Sequence, residues 1–284
     1  MHRLTVICPF FRGEEFLGSF TKALSNQRCH NSEYEVLIVD NSSVQTVGKS
    51  QLPSVFEVIH APERQSSYYA RNVGIDHSRG DVIAFIDIDC QALPDWLANG
   101  VKTLTESGKR IVAGRVEMES QYSRSVWHYF DAIYNINNER SVSRGFAKTA
   151  NLLVPKKAFH DIGLFDSARI SGGDVEWTKR AVAAGYELVY DPTAIVVHPT
   201  RGMVGQLKKQ LRVGGGRSVG TDVVPIAESY KTRIAANLRY VDGVARRDGK
   251  SAWFCTRLRV VYLVQLMASI IGTIMARFGI RFNW

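Results

Sequence analysis

Gly80-Asp81-Val82-Ile83-Ala84-Phe85-Ile86-Asp87-Ile88-Asp89-Cys90 holds five apolar residues in a row followed by two carboxylates one residue apart. A short run of this kind, β-branched or aromatic except at Ala84, reads as a strand buried on both faces. Side chains at i and i+2 of an extended chain point the same way, so Asp87 and Asp89 are expected to project together from the strand's C-terminal end. Open α/β sheets place their ligand crevice there. Two carboxylates that close repel unless a cation sits between them and a phosphate group. The plainer reading is a solvated strand end whose acids cap the next helix.

Outward from this strand the same grammar repeats. Leu4–Phe10 reads as a first strand, stopping near Pro9 and followed by a loop with Arg12 and Gly13; Glu14–Gln27 has helical spacing. Tyr34–Asp40 is a second buried strand ending in Asp40, Val55–His60 a third, and Ser66–His77 a helix with Arg71 and Asn72 at its middle. After Asp89 follow a helix over Pro94–Thr105, a strand over Arg110–Met118 and an aromatic-rich helix or lid over Tyr122–Asn138. Then come a strand over Ala147–Pro155, a short helix over Lys156–Ile162, and a helix over Val175–Ala184 with Asp174 at its N-cap or first turn. Tyr186–His198 reads as a strand pair around Asp191-Pro192, ending in His198. The alternation predicts an α/β, Rossmann-like fold with a mixed, mostly parallel sheet and helices on both faces. Its domain is residues 1–200, and residues 201–284 form a basic, helical C-terminal region.

Bulk properties narrow the options. The chain has 284 residues, 45% hydrophobic, and no low-complexity tract. Its four cysteines are far apart and form no C-x-x-C pair, which argues against a zinc site or a disulfide framework and fits a reducing compartment. The apolar run at the N-terminus is too short for a signal peptide. The net charge of +9 is uneven: residues 201–284 carry 15 Lys and Arg against 4 Asp and Glu, whereas the first 200 carry 21 against 23. A basic tail suits nucleic acid, anionic lipid or an anionic substrate.

The tail's composition favours lipid. Gly202–Val213 reads as a helix ending at Gly214-Gly215-Gly216, and Tyr230–Arg247 as an amphipathic helix. Between Arg259 and Arg277 lie 17 uncharged residues, about 26 Å of helix at ~1.5 Å per residue, short of a bilayer core of about 30 Å. Gln265, Ser269, Thr273 and Arg277 form a polar stripe, and Trp253, Phe254, Tyr262, Phe278 and Trp284 lie near the ends. A helix lying on or dipping into the membrane is expected, against a core or dimer helix.

Asp40, Asp87 and Asp89 end strands on one edge, and His198 reaches the same crevice if its strand runs parallel to theirs. A hard divalent cation held by carboxylates and one imidazole, with positions left open, suits a nucleoside diphosphate. With these pieces in place the sequence resembles the family 2 glycosyltransferases, inverting enzymes with the nucleotide-sugar-binding fold called GT-A, of the bacterial, non-processive type. The resemblance covers about residues 3–200, and its segments come in family order. They are Thr5–Pro9 with Gln27, Val36–Asp40, Ala70-Arg71-Asn72-Val73-Gly74, Asp81–Asp89 with Pro94-Asp95-Trp96-Leu97, Asn151 leading to Gly163-Leu164-Phe165-Asp166, Gly172-Gly173-Asp174, and Gly185-Tyr186 through His198.

The resemblance implies roles. Pro9, Phe11 and Glu14 in and after the first loop, with Asp40, would hold the nucleoside; Arg71, Asp87 and Ile88 would lie at the donor. Asp89 and His198 would hold Mn2+ or Mg2+, and Asp174 would be the catalytic base. The implied reaction moves a single sugar from a nucleotide-diphosphate sugar, UDP by family default, to a hydroxyl of a glycan or lipid-linked acceptor, with inversion. It would take place at the cytoplasmic face of the membrane, the protein being peripheral or monotopic and binding no nucleic acid. The chain departs from the pattern at Gly173, where an acid is frequent and Glu176 would be the substitute, at Arg12, where Asn is common, and at Asn41, where Asp is common. No Gln-x-x-Arg-Trp of processive synthases is present. Two other readings are a sugar nucleotidyltransferase, which needs a glycine-rich phosphate loop after the first strand, and a non-enzymatic protein binding anionic ligands through its tail.

Overall fold

The computed structural model describes residues 4–29, 34–48, 52–106, 108–119, 125–217 and 226–280. The chain forms two compact units. The first takes in residues up to Glu117 together with Asn137–Ala168 and Gly173–Pro199; the second takes in Met118–Ile136, Arg169–Gly172 and Thr200–Trp284.

The first unit is built on an eight-stranded sheet. Its strands are β1 (Leu4–Phe10), β2 (Tyr34–Asp40), β3 (Phe56–His60), β4 (Val82–Ile86), β5 (Gln91–Ala92), β6 (Arg110–Met118), β7 (Asn151–Pro155) and β8 (Glu187–His198). In space they run β3-β2-β1-β4-β7-β6-β8-β5. The first four are mutually parallel, β7 is antiparallel to both β4 and β6, and β5 is antiparallel to β8. This is the mixed, mostly parallel sheet the alternation predicts. Every residue of β2 and β4 is buried, as an apolar strand in mid-sheet must be.

The helices of this unit are α1 (Glu14–Ser25), α2 (Ser67–His77), α3 (Trp96–Thr105), α5 (Asn138–Val142), α6 (Lys157–Ile162) and α7 (Gly173–Ala183). Two of them fix the functional end of the sheet. Ser66 caps α2 by accepting from the backbone N–H groups of Tyr68 and Tyr69 at 3.3 and 3.5 Å. α7 is tied to β4 by an aromatic cluster: Phe85 meets Phe165 edge-on at 5.6 Å, and Trp177 lies 5.4 Å from Phe165 and stacks on Phe159 at 4.6 Å. Trp177 is fully buried and its indole N–H donates to the Gly163 carbonyl at 2.7 Å. β8 is held by a polar hub: the buried Asn151 amide donates to the carbonyls of Arg115 and Ala194, both at 2.9 Å, and accepts from Trp96 Nε1 at 2.8 Å.

Several boundaries differ from the sequence reading. Glu187–His198 is one continuous strand, not a pair around Asp191-Pro192, because the Asp191 carboxylate accepts from the N–H groups of Thr193 and Ala194 and lets the chain run on. β1 has the expected bounds, Leu4–Phe10, but is not stopped at Pro9, and Phe10 is in register with Asp40. The two-residue strand β5 and the short helix α5 carry too little periodicity to be read from sequence.

The second unit is helical: α4 (Val126–Tyr134), α8 (Met203–Arg217), α9 (Ile226–Arg247) and α10 (Ala252–Arg277). The start of the expected Tyr122–Asn138 helix, the side chains of Tyr230 and Lys231, and Trp284 lie outside the described residues. Phe130, Val241, Ala245, Leu258, Val261 and Tyr262 form the core shared by α4, α9 and α10.

The triple glycine does not stop α8; the helix runs through it to Arg217. The reason is packing against α10. A Cβ on Gly214 would fall 1.9 Å from the Ser269 carbonyl oxygen, and one on Gly272 would fall 2.1 Å from that of Leu211, so the two backbones touch where side chains are missing. The polar stripe of α10 faces this seam. Gln265, Ser269 and Thr273 are buried, Gln265 bonds Gln206 and Gln210, and Thr273 donates to the carbonyls of Gly214 and Ser269. The opposite face is apolar and open: Val260, Leu263, Met267, Ile271 and Ile274 are each 44–61% exposed.

Candidate active site at the ends of the parallel strands

The carboxylates that follow β4 lie in a turn, not in extended chain: the Cys90 N–H donates to the Asp87 carbonyl at 3.0 Å. The turn sends the two acids to different partners. Asp87 Oδ1 accepts from Arg71 Nη2 at 2.7 Å, and Asp89 Oδ2 lies 3.3 Å from His198 Nε2. The pair that alternation placed side by side is therefore divided between a cation supplied by α2 and an imidazole supplied by β8.

Arg71 reaches its partner from an almost wholly buried position, 4% exposed. Nη1 donates to the Ser67 carbonyl at 3.3 Å, the guanidinium lies 5.7 Å over the Tyr68 ring, and Nε is buried with no partner among the described residues. A guanidinium this deep needs a counter-charge, and Asp87 provides it.

The chemistry of His198 is set by its other nitrogen. Nδ1 lies 2.6 Å from the Pro199 carbonyl oxygen, which can only accept, so Nδ1 carries the proton. Nε2 is thereby turned toward Asp89 Oδ2, 3.3 Å away. A carboxylate oxygen and a ring nitrogen placed in this way can share a cation. Ligands about 2.1 Å from an octahedral ion sit about 3 Å apart at adjacent positions, close to the separation seen. The Nδ1-to-carbonyl bond is also the support that metal-binding histidines commonly have. The residues present therefore fit a hard divalent cation.

Cys90 has its sulfur in the same group, with the ligand atoms of Asp89, Cys90 and His198 all within 4.8 Å of one another. Sequence spacing gave no sign of it, since an isolated cysteine has no ligand pattern. Burial pushes its thiol pKa well up, and Asp89 and Asp87 push it further. It stays a protonated thiol, directed at the Ala150 carbonyl 3.9 Å away. Cys8 is likewise raised, by burial first and then by Asp87.

The neighbouring strand ends complete the crevice. A Cβ on Gly13 would fall 2.9 Å from Ile88 Cγ2, so the loop after β1 lies directly against the Asp87–Asp89 turn. Pro9, Phe11 and Ile88 are half-buried, whereas Glu14 stands exposed in the first turn of α1. Arg12 has φ +52, the left-handed region that Asn tolerates far better than Arg, and its guanidinium lies 5.1 Å over the Phe11 ring. That explains why an Asn suits this position.

Asp40 is wholly buried. One oxygen accepts from Ser42 N at 3.0 Å, the other from Thr46 N at 2.7 Å, Val47 N at 3.2 Å and the Thr46 hydroxyl at 3.3 Å. Burial alone would raise its pKa, but the hydrogen bonds from Thr46, Ser42 and Val47 together outweigh it and hold the carboxyl below its usual value. The carboxylate thus organises the loop over residues 41–47.

Asp174 is half-buried in the first turn of α7, with Oδ1 accepting from Val175 N at 2.9 Å and from the Tyr68 hydroxyl at 3.4 Å. Tyr68 links it to Arg71 and hence to Asp87. Glu176 is engaged elsewhere, paired with Arg180 at 2.6 Å.

Comparisons with known proteins bear on the family and the fold. The family model for glycosyl transferase family 2 matches residues 5–166. Glycosyltransferase AglE of Haloferax volcanii is 38% identical over 222 residues, covering 75% of this chain and 72% of that one. Among solved structures, the mannosyltransferase PcManGT of Pyrobaculum calidifontis, in complex with GDP-Man and Mn2+, superposes with a TM-score of 0.56 at 16% identity, over 98% of this chain and 73% of that one. TarS residues 1–349 of S. aureus, in complex with UDP-GlcNAc, gives 0.55 at 15% identity, over 98% and 92%.

Proposed function

The chain belongs to glycosyl transferase family 2 and is a glycosyltransferase of GT-A fold, and from that premise we propose that it moves one sugar from a nucleotide-diphosphate sugar to an acceptor hydroxyl, with inversion and with a divalent cation. The observation that carries the metal-dependent part is the His198–Asp89 pair, with Nε2 3.3 Å from the carboxylate and Nδ1 held by the Pro199 carbonyl. Asp89 and His198 would hold Mn2+ or Mg2+, which when bound supplies positive charge to the departing diphosphate.

The chain's own residues do the rest. The Asp40 loop and Pro9–Phe11 form the wall for the nucleoside, with Asp40 acting through the loop it fixes. Arg71 neutralises Asp87, so a cation at Asp89 would not face a second uncompensated carboxylate. Asp174 takes the proton from the acceptor hydroxyl as that oxygen bonds to the anomeric carbon from the face opposite the leaving group. The bond from carbon to the diphosphate oxygen breaks, its electron pair leaves with the diphosphate, and configuration inverts. No second carboxylate is needed to protonate the leaving group, in contrast to glycoside hydrolysis.

The acceptor is a lipid-linked or glycan hydroxyl presented at the cytoplasmic face of a membrane. Supporting this is the reversed polarity of α10, which turns Gln265, Ser269 and Thr273 inward and Leu263, Met267 and Ile271 outward, in a region with a charge of +11. An anionic bilayer surface satisfies both features.

A panel of UDP- and GDP-sugars tests the reading. Nucleotide release from one of them, present with Mn2+ or Mg2+ and absent with EDTA, is expected. Equal release in EDTA would overturn the metal-dependent part. Net synthesis of nucleotide sugar from a sugar phosphate would instead favour the nucleotidyltransferase.

A further inference from the structure

Gly173 stands where the family resemblance leads one to expect an acid, and the structure shows what fills its place. A Cβ at Gly173 would lie 3.0 Å from three atoms of the Tyr68 ring, so the ring lies flat against the bare α-carbon. The ring is held there on its other sides, by Phe165 with centroids 6.0 Å apart and by Arg71 with its guanidinium 5.7 Å from the ring centre. Tyr68 is 6% exposed, and its hydroxyl is directed at Asp174 Oδ1, 3.4 Å away. A side chain at 173 would press on the ring and shift it, and the hydroxyl with it, by a few tenths of an ångström.

We infer that Tyr68 is a positioning residue for Asp174, taking over the orienting task of the missing acid, and that Gly173 is required so that the ring can approach. This rests on Asp174 being the base. The hydroxyl donates to the carboxylate and holds one oxygen, leaving Oδ2 to receive the acceptor's proton. At 3.4 Å the bond is long, as hydrogen bonds of catalytic groups often are before substrate closes the site. Through its ring Tyr68 also sits on Arg71, so the base and the Asp87 side of the donor site share one rigid support.

The test uses the full chain and the nucleotide sugar released fastest in the panel above, with Mn2+ and with water as the acceptor. Tyr68→Phe removes one oxygen and keeps the ring. Its kcat should fall about five- to tenfold, the worth of one ordinary hydrogen bond, as suits a contact of 3.4 Å, while the donor KM stays within twofold. Asp174→Asn should lose at least a hundredfold, and the double variant should be no worse than Asp174→Asn alone. Gly173→Ala, which presses the ring by a few tenths of an ångström, should lower kcat in the same direction as Tyr68→Phe and by no more. Thermal unfolding of each variant confirms that the fold is retained. A Tyr68→Phe enzyme with unchanged kcat, or a double variant whose losses multiply, overturns the inference while leaving Asp174 as base. Full turnover by Asp174→Asn would instead remove the base assignment.

Discussion

Asp87→Ala and Asp89→Ala lie two residues apart and should have opposite consequences for stability and activity. Asp87 is the counter-charge of Arg71, a guanidinium with 4% side-chain exposure bonded at 2.7 Å. Removing one member of a buried pair costs about 3–5 kcal/mol, because the other charge is left uncompensated. The Asp87 side chain is one-third exposed, so water can reach the vacated place and the low end applies, about 3 kcal/mol. At roughly 2–4 °C per kcal/mol for a unit of this size, the unfolding midpoint should drop by about 6–12 °C. Asp89 faces an imidazole, not a permanently charged guanidinium, so its removal should cost less than that of Asp87. Yet Asp89→Ala should abolish cation-dependent nucleotide release. Calorimetric or fluorescence-detected unfolding, run beside the release assay, measures both. Arg71→Met combined with Asp87→Ala should recover much of the lost stability, since removing both charges strands neither. Equal midpoints for Asp87→Ala and Asp89→Ala would refute the division of labour argued from the turn.

Other expectations follow from particular contacts. Asp40→Asn should cost about 1.5–3 kcal/mol at neutral pH by weakening the bonds to charged oxygen. Because the folded pKa of Asp40 lies below its unfolded value, its contribution is full at neutral pH and is lost as pH falls below about 4 through the folded pKa; wild type and variant should therefore converge in acid. Arg12→Asn should stabilise by about 1 kcal/mol through relief at φ +52, read from the urea midpoint at constant slope; destabilisation would mean that the Phe11 contact outweighs the backbone cost. Met267→Glu with Ile271→Glu should release the protein from sedimenting vesicles containing phosphatidylglycerol without lowering the unfolding midpoint, because both side chains point outward; unchanged sedimentation would reject the membrane face.

Much of the sheet was legible because buried strands announce themselves. Val36–Val39 and Val82–Ile86 are unbroken apolar runs, and both are buried along their whole length. What could not be read was the partnering of groups far apart in sequence. Alternation put Asp87 and Asp89 on one side of a strand; that they lie in a turn and take different partners, Arg71 and His198, needed the fold. The inward aim of Gln265, Ser269 and Thr273 was equally hidden. A stripe with i, i+4 spacing shows which residues share a face; whether that face meets water or another helix depends on Gly214 and Gly272 meeting across a seam. Tyr68 looked like one aromatic in a helix until Gly173, more than a hundred residues away, made room for its ring.

The most direct test is binding of Mn2+ to the wild-type chain and to Asp89→Asn in the presence of a nucleoside diphosphate, followed by electron paramagnetic resonance. One ion bound per wild-type chain, with binding at least tenfold weaker in the variant, is the predicted result. Equal Mn2+ binding by the two proteins would contradict the assignment of Asp89 and His198 as the cation's protein ligands.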